Sequence, residues 1–378
     1  MNSTSVGPLG VRFDDVREIA VLRGGGLGDL AFAIPAITAL KAAYPEARLT
    51  VLGTPVHAAL LEGRPGPVDE VVVLPHAEGV RPTPAGSAAD GPAEDPAAVA
   101  AFHARMRQRR FDLAVQLHGG GRFSNPFLLA LGARHTAGTA TPDAAELERT
   151  LPYVYHQHEV LRALEVAGLA GAPVVDLEAR LTVTEAERAA GSGMRDRARR
   201  GLLVLHPGAT DPRRRWPTAH FARLAALAAE AGLQVLVVGA EEDVPAAEAI
   251  VAGSGAPDAV GSCAGRLGLG DLLGLLAEAD VLVGNDSGPR HLAQAVGTAT
   301  VGLYWVGNLL NAGPLGRDRH RVHLSWITRC PECGIDVTQV GWTAPRCPHD
   351  PSYLDMIEPE AVFADVQALL TEAQVLRD

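Results

Sequence analysis

The sequence predicts an α/β chain of two Rossmann-like, doubly wound domains, and three observations predict it. Its 378 residues exceed what a single hydrophobic core usually serves, so length alone suggests two domains. Short continuous runs of Val, Ile and Leu alternate with longer helical patterns, as parallel strands covered on both faces require. Past Arg200 the same rhythm starts again, giving two successive βαβ blocks.

In the first block the buried strands are expected at Ile19–Leu22, Leu49–Leu52, Val71–Leu74 and Leu113–Leu117, with helices over Leu30–Tyr44 and Ala97–Arg109. In the second, Leu202–Leu205, Val235–Val238, Val281–Val283 and Thr300–Tyr304 read as strands, and Thr218–Ala231, Asp271–Glu278 and Pro289–Val296 as helices. A charged segment, Thr182–Arg200, marks the boundary, giving domains over 1–182 and 183–357. An amphipathic helix within 358–378 closes the chain. Residues Ala77 to Pro96, rich in Pro, Gly, Ala and Asp and without periodicity, read as a surface loop or a disordered insertion.

Composition narrows the function. A net charge of −11 argues against binding nucleic acid through its phosphates, which needs a basic surface. Lys41 is the sole lysine, an arginine bias that reads as base composition before chemistry. No apolar run reaches the roughly 20 residues a bilayer span needs, and the N-terminus has no secretory pattern. A cytoplasmic protein is expected.

Four segments carry chemistry. The first is Arg23-Gly24-Gly25-Gly26-Leu27-Gly28-Asp29, directly after the first strand. Its glycines allow a tight turn and expose N–H groups where the next helix begins, and it lacks the ending of a Walker loop. Asp29 there is either a ligand-facing carboxylate or a helix cap. The second is His206-Pro207-Gly208-Ala209-Thr210 followed by Arg213-Arg214-Arg215-Trp216-Pro217. Guanidinium groups between a strand and a helix suit a diphosphate, and the rival reading is a solvated face.

The third segment is Gly284-Asn285-Asp286-Ser287-Gly288-Pro289-Arg290-His291, which ends a strand and opens a helix. Pro289 suits the first helical turn, Ser287 or Asp286 can cap it, and its N–H groups suit an anion. His291 alone reads as an interior histidine. The fourth is Gln116-Leu117-His118-Gly119-Gly120-Gly121-Arg122, where Arg122 either contacts a ligand or decorates a turn.

The four cysteines divide into isolated Cys263 and a tail cluster, Cys330-Pro331-Glu332-Cys333 and Cys347-Pro348-His349. A Cys-x-x-Cys pair plus a Cys-x-His pair offers four tetrahedral zinc ligands: Cys330, Cys333, Cys347 and His349. Structural zinc, free thiols and a disulfide all remain open, none of them catalytic. The segment from Gly334 to Arg346 has little apolar content with which to pack unaided.

Taken in order, these segments resemble glycosyltransferase family 9, the ADP-heptose:lipopolysaccharide heptosyltransferases, continuously from about Ala20 to Gly313. The resemblance implies the GT-B architecture, with two domains facing a central cleft. It implies inverting, metal-independent transfer of a sugar, heptose from ADP-heptose, to a glycan or lipid-linked acceptor in lipopolysaccharide biosynthesis. A lipid-linked acceptor implies peripheral contact with a membrane. Asp29 matches the family's general base. Asp286, Ser287, Gly288 and His291 match its phosphate-binding turn, and Arg214 falls where many members have a phosphate-contacting Lys. Thr210 and Arg215 share that donor-side segment, Leu267 matches a position lining the adenine pocket, and Glu241 or Glu242 matches an acid near the ribose. Gly28, His118 and Arg122 are the candidates for the acceptor side. Tyr304-Trp305-Val306-Gly307-Asn308 departs from the family's small Gly-Pro-rich loop. Two rival readings are a nucleotide-sugar epimerase of GT-B form and a non-catalytic sugar-nucleotide-binding protein.

Overall fold

The computed structural model describes residues 5–81, 95–338 and 346–375. The chain forms two compact units, Met1–Thr182 and Val183–Asp378, each built on its own six-stranded sheet. The first unit runs β1 (Glu18–Leu22), α1 (Leu27–Ala43), β2 (Arg48–Gly53), α2 (Pro55–Leu61), β3 (Glu70–Val73), α3 (Pro96–Arg109), β4 (Leu113–Gln116), α4 (Ser124–Leu129), β5 (His135–Ala140), β6 (Arg149–Pro152) and α5 (Glu159–Leu169). The second begins with α6 (Glu185–Met194), β7 (Leu202–His206), α7 (Thr218–Glu230), β8 (Gln234–Val237), α8 (Val244–Ser254) and β9 (Val260–Ser262). It continues with α9 (Leu269–Glu278), β10 (Val281–Asn285), α10 (Gly288–Ala295), β11 (Ala299–Trp305), α11 (Val306–Ala312), β12 (His320–Ser325) and α12 (Pro359–Val375).

All pairings within the two sheets are parallel. The first sheet is ordered β3-β2-β1-β4-β5-β6 and the second β12-β11-β10-β7-β8-β9. Numbered from its own first strand, each sheet has the order 3-2-1-4-5-6, the doubly wound arrangement. The order reverses between β1 and β4 in one and between β7 and β10 in the other. Ligands of such sheets bind outside the carboxyl ends of the strands at that reversal.

Burial explains the continuous apolar runs. In β1, Ile19 and Val21 join the core under α1 and α5, while Ala20 and Leu22 join the core with Phe102 of α3 and Phe127 of α4. Successive side chains point to opposite faces, and both faces are covered, so every position is apolar. In the second unit one cluster takes in Leu203, Leu205, Val235, Val237, Val281 and Val283, together with Phe221 of α7 and Val362, Val366 and Leu369 of α12. The closing helix is thus part of the second unit's core.

Several elements were not expected from sequence. The charged segment 182–200 contains α6, whose start is marked by a capping box: Thr184 Oγ1 accepts from Glu187 N, and Glu187 accepts from Thr184 N. Gly191 of α6 meets Gly274 of α9 so closely that a Cβ on Gly191 would lie 2.1 Å from the Gly274 carbonyl oxygen. The strands β5, β6, β9 and β12 are short, polar or rich in Ala, Gly and Thr, and they sit toward the sheet edges where a full apolar run is not demanded. The departing segment after β11 folds as α11. Of the loop 77–96, residues 82–94 lie outside the described residues; α3 starts on a Pro96 capped by Asp95, whose carboxylate accepts from Ala97 N and Ala98 N. Val337 is fully buried in the second core, so the segment after Gly334 does contribute apolar packing. Among the described residues no helix is long and apolar enough to cross a membrane.

Candidate functional site

The four motif segments occupy the reversal points of the two sheets, two in each unit. In the first unit the glycine run follows β1 and the His118–Arg122 segment follows β4, its neighbour in the sheet. Asp29 is the third residue of α1, and the N-cap is Gly26. Its carboxylate accepts from Gly26 N at 2.9 Å and pairs with Arg23 Nη2 at 2.8 Å. Arg23 also donates through Nε to the Asp29 backbone carbonyl at 2.8 Å and through Nη1 to Leu117 O, and it lies 3.7 Å from Glu159. The Asp29 side chain stays 48% exposed while that of Arg23 is 6% exposed. A buried cation thus orients a carboxylate that remains open to solvent.

Gly25 shows why the run is glycine. Its φ is +88°, and a Cβ there would stand 2.4 Å from Asp29 Oδ2. The loop carbonyls are held from below: Thr54 Oγ1 donates to Gly25 O at 3.2 Å and His57 Nε2 to Gly26 O at 3.0 Å. Gly28 lies in the first turn of α1. His118 Nε2 donates to Gly79 O at 3.1 Å; desolvation, then the Arg23 charge, lower its pKa to about 4, so it is neutral at pH 7. Arg122 is exposed, 3.6 Å from Asp143 and stacked over Phe123. It belongs to a surface pair and not to the Arg23–Asp29 group. Arg23 and Glu159 were not assigned from sequence; a buried Arg closing a hydrophobic strand was the available signal for the first.

In the second unit the loops after β7 and β10 are stapled together by Asn285, which is fully buried. Its Oδ1 accepts from Trp216 N at 3.1 Å and its Nδ2 donates to Pro207 O at 2.7 Å. The next residue, Asp286, is buried and gathers three partners: His291 Nε2 at 3.0 Å, Arg214 Nη1 at 3.2 Å and Asn308 Nδ2 at 2.8 Å. Burial opposes its charge, but the hydrogen bond from His291 and the charges around it outweigh this and hold the carboxyl well below the usual range. Arg290, also fully buried, donates through Nη2 to His291 Nδ1 at 2.7 Å, which leaves the His291 Nε2–H for Asp286. Asn308 comes from the segment that departs from the family pattern, and it lands directly on Asp286.

Ser287 holds the N-cap position of α10 without capping it. Its hydroxyl instead shares a 2.9 Å hydrogen bond with His206 Nδ1 and donates to Asn285 O at 3.1 Å. His206 Nε2 stands 3.8 Å from Asp243, and burial lowers the His206 pKa to about 4 against that charge. The Ser287 side chain therefore leaves the first turn of α10, at Gly288, uncapped.

The three arginines have three different environments. Arg213 is buried and forks onto Asp211, with Nε 2.9 Å from Oδ1. Arg214 reaches Asp286. Arg215 is exposed and turns back to Ala209 O at 2.8 Å, bracing the loop that holds exposed Thr210. Glu241 and Glu242 are exposed on a 3₁₀ turn after β8, with Glu241 Oε2 2.6 Å from where a Cβ on Gly265 would be. Half-buried Leu267 follows that Gly265 turn after β9. The carboxyl ends of β8 and β9 thereby bring Glu241 and the Leu267 segment together. All four cysteines are free, and the ligand atoms of Cys330, Cys333, Cys347 and His349 lie within 4.8 Å of one another.

The family model described as glycosyltransferase family 9 (heptosyltransferase) matches residues 99–334, which includes the whole Asp286 group and leaves Asp29 outside. Lipopolysaccharide heptosyltransferase 2 of Salmonella typhimurium is 27% identical over 377 residues, covering 95% of this chain and 100% of that protein. The solved ADP-heptose lps heptosyltransferase II of E. coli superposes with a TM-score of 0.70 at 20% identity, over 95% of this chain and 99% of its own. The family 9 glycosyl transferase of Veillonella parvula gives 0.75 at 19% identity, over 96% and 99%. The two doubly wound units are those of the GT-B fold. A transferase is thereby favoured over the epimerase and binding-protein readings: the chain belongs to glycosyltransferase family 9, the heptosyltransferases.

Proposed function

We propose that the protein transfers heptose from ADP-heptose to a glycan or lipid-linked acceptor of lipopolysaccharide biosynthesis, in the cytoplasm, with inversion at the anomeric carbon and without a metal ion. The observation that carries this reading is the turn at the end of β10. There the helix α10 begins with no side-chain cap, beside an Arg214 already oriented by a buried carboxylate. Helix N-termini and guanidinium groups are the groups that stabilise a diphosphate as it leaves. Arg214 uses one N–H on Asp286 and has others to offer phosphate oxygens. Asp286 and His291 hold the turn, while Ser287 and Gly288 present their N–H groups. Glu241 or Glu242 takes the ribose hydroxyls and Leu267 the adenine face, with Thr210 and Arg215 bordering the phosphates.

Asp29, exposed and paired with Arg23, takes the proton from the acceptor hydroxyl. The freed oxygen attacks the anomeric carbon as its bond to the diphosphate breaks, and ADP leaves with the electron pair. Arg23 keeps the carboxylate aimed; Gly28, His118 and Arg122 border the acceptor. The names of the Salmonella and E. coli relatives support the donor and the acceptor class. Calorimetry with ADP and UDP tests the donor. ADP is expected to bind, and an Arg214→Ala variant to bind it more weakly by about 1.5–3 kcal/mol, the range for a charge-assisted contact. Equal affinity for UDP, or an unchanged variant, would overturn the assignment. Transfer is expected to need no added divalent metal ion.

A further inference from the structure

We propose that Cys330, Cys333, Cys347 and His349 bind one structural zinc ion, and that the ion ties the C-terminal segment to the turn that carries Arg214. The four ligand atoms already lie within 4.8 Å of one another. Tetrahedral zinc, with bonds of about 2.3 Å to sulfur and 2.0–2.1 Å to nitrogen, asks for only a small contraction of that group. Cys330 and Cys333 flank a tight turn in which Gly334 N donates to Cys330 O and Cys330 N to Ile335 O, both at 2.9 Å. Gly334, with φ +72°, closes the turn.

His349 completes the set in an orientation a metal requires. Its Nδ1 faces Cys330 Sγ at 3.9 Å, while its Nε2 points to the Glu332 carboxylate at 3.8 Å. A carboxylate behind the second nitrogen of a ligating imidazole fixes its tautomer and raises its basicity. Four protein ligands leave no open position, so the ion is structural.

The segment that follows Arg346 is strapped along residues 211–216. Arg346 Nη1 pairs with Asp211 at 3.3 Å, and Ser352 Oγ donates to Arg215 O at 2.6 Å. Tyr353 N donates to Arg213 O at 2.8 Å, and Trp216 Nε1 to Ile357 O at 2.9 Å. Between the arginines on which this strap rests is Arg214, on Asp286. Zinc at Cys347 and His349 anchors the start of the strap to the Cys330 turn. The effect on ADP rests on the donor-site reading; the metal itself does not.

The experiment uses the full chain, purified without chelators and without a metal-affinity tag. Elemental analysis is expected to find one zinc per chain, and cobalt exchanged into the site to give the visible absorption of a tetrahedral thiolate complex. Cys333 is exposed, so Cys333→Ser is expected to remove the metal and lower the melting temperature without opening the core. His349→Cys is expected to keep the metal, since four thiolates also make a zinc site. Glu332→Gln is expected to weaken zinc about tenfold. ADP affinity is expected to fall with zinc in Cys333→Ser and to be retained in His349→Cys. A metal-free protein that melts no higher when zinc is added overturns the site, and one tightly held iron overturns zinc. Zinc loss with unchanged ADP affinity overturns the strap. Zinc present in a protein that binds no ADP at all upholds the metal and removes the donor-site reading instead.

Discussion

Asp29 and Asp286 both lie at the reversal of a 3-2-1-4-5-6 sheet, Asp29 in the helix after its unit's first strand and Asp286 directly after its unit's fourth, and their surroundings are opposite. The Asp29 side chain is 48% exposed with one buried cation behind it; that of Asp286 is 8% exposed and is enclosed by His291, Arg214 and Asn308. Under the proposed function the difference suits one to chemistry and the other to construction. A carboxylate that must take a proton needs access. A carboxylate whose ionised form is held this firmly makes a poor base, and in the proposed reaction its part is to fix cations where the leaving group gains charge.

The sharpest way to break this comparison is to remove the Asp29 charge. Asp29→Asn is expected to lower kcat by about 10²–10⁴-fold, the span for general-base catalysis, while ADP affinity holds and stability changes by no more than about 1 kcal/mol. Wild-type turnover in the folded variant would sink the role. Asp286→Ala should behave in reverse. It leaves the buried Arg290–His291 pair without its anion and is expected to cost about 3–5 kcal/mol in urea unfolding. A loss under about 1 kcal/mol would show that Asp286 is not a structural centre.

The smallest expected effect concerns the histidine under the same turn. His206 is buried with its pKa lowered to about 4, so the folded protein holds it neutral while the unfolded chain protonates near 6.5. Its contribution is complete above about pH 6.5 and is lost as pH falls toward 4, at about 1.4 kcal/mol per pH unit. Urea midpoints collected from pH 7 to pH 4 should therefore fall less steeply in His206→Gln than in the wild type. Parallel slopes would remove His206 from the account.

Much of this was legible in the sequence because the relevant signals are local. A continuous apolar run implies a strand buried on both faces, as in β1, β4, β7 and β10. Gly-rich, Pro-led segments after those strands implied the turns that carry Asp29 and Asp286. The edge strands β6 and β12 were not legible, since strands covered by fewer neighbours carry no full apolar run, and interior β5, HTAGTA, fills its buried places with small Ala, Gly and Thr. Helix α6 was read past because its charged residues concealed a capping box and a glycine face.

By itself the sequence determined two parallel sheets, the order of four motif segments along the chain and the Cys-x-x-Cys and Cys-x-His spacing of the tail, because these depend on residue type and short spacing. Only the tertiary structure decided which groups meet. It placed each pair of segments on adjacent strands at a sheet reversal, although residues 29 and 118, or 214 and 286, are far apart in sequence. It separated three consecutive arginines into a buried buttress, an Asp286 partner and a loop brace, because backbone direction changes within one 3₁₀ turn. It brought Asn308 onto Asp286 and Arg23 beneath Asp29, contacts no local pattern could announce. Pairwise electrostatics acts through a few ångströms of space, and only the folded backbone sets those distances.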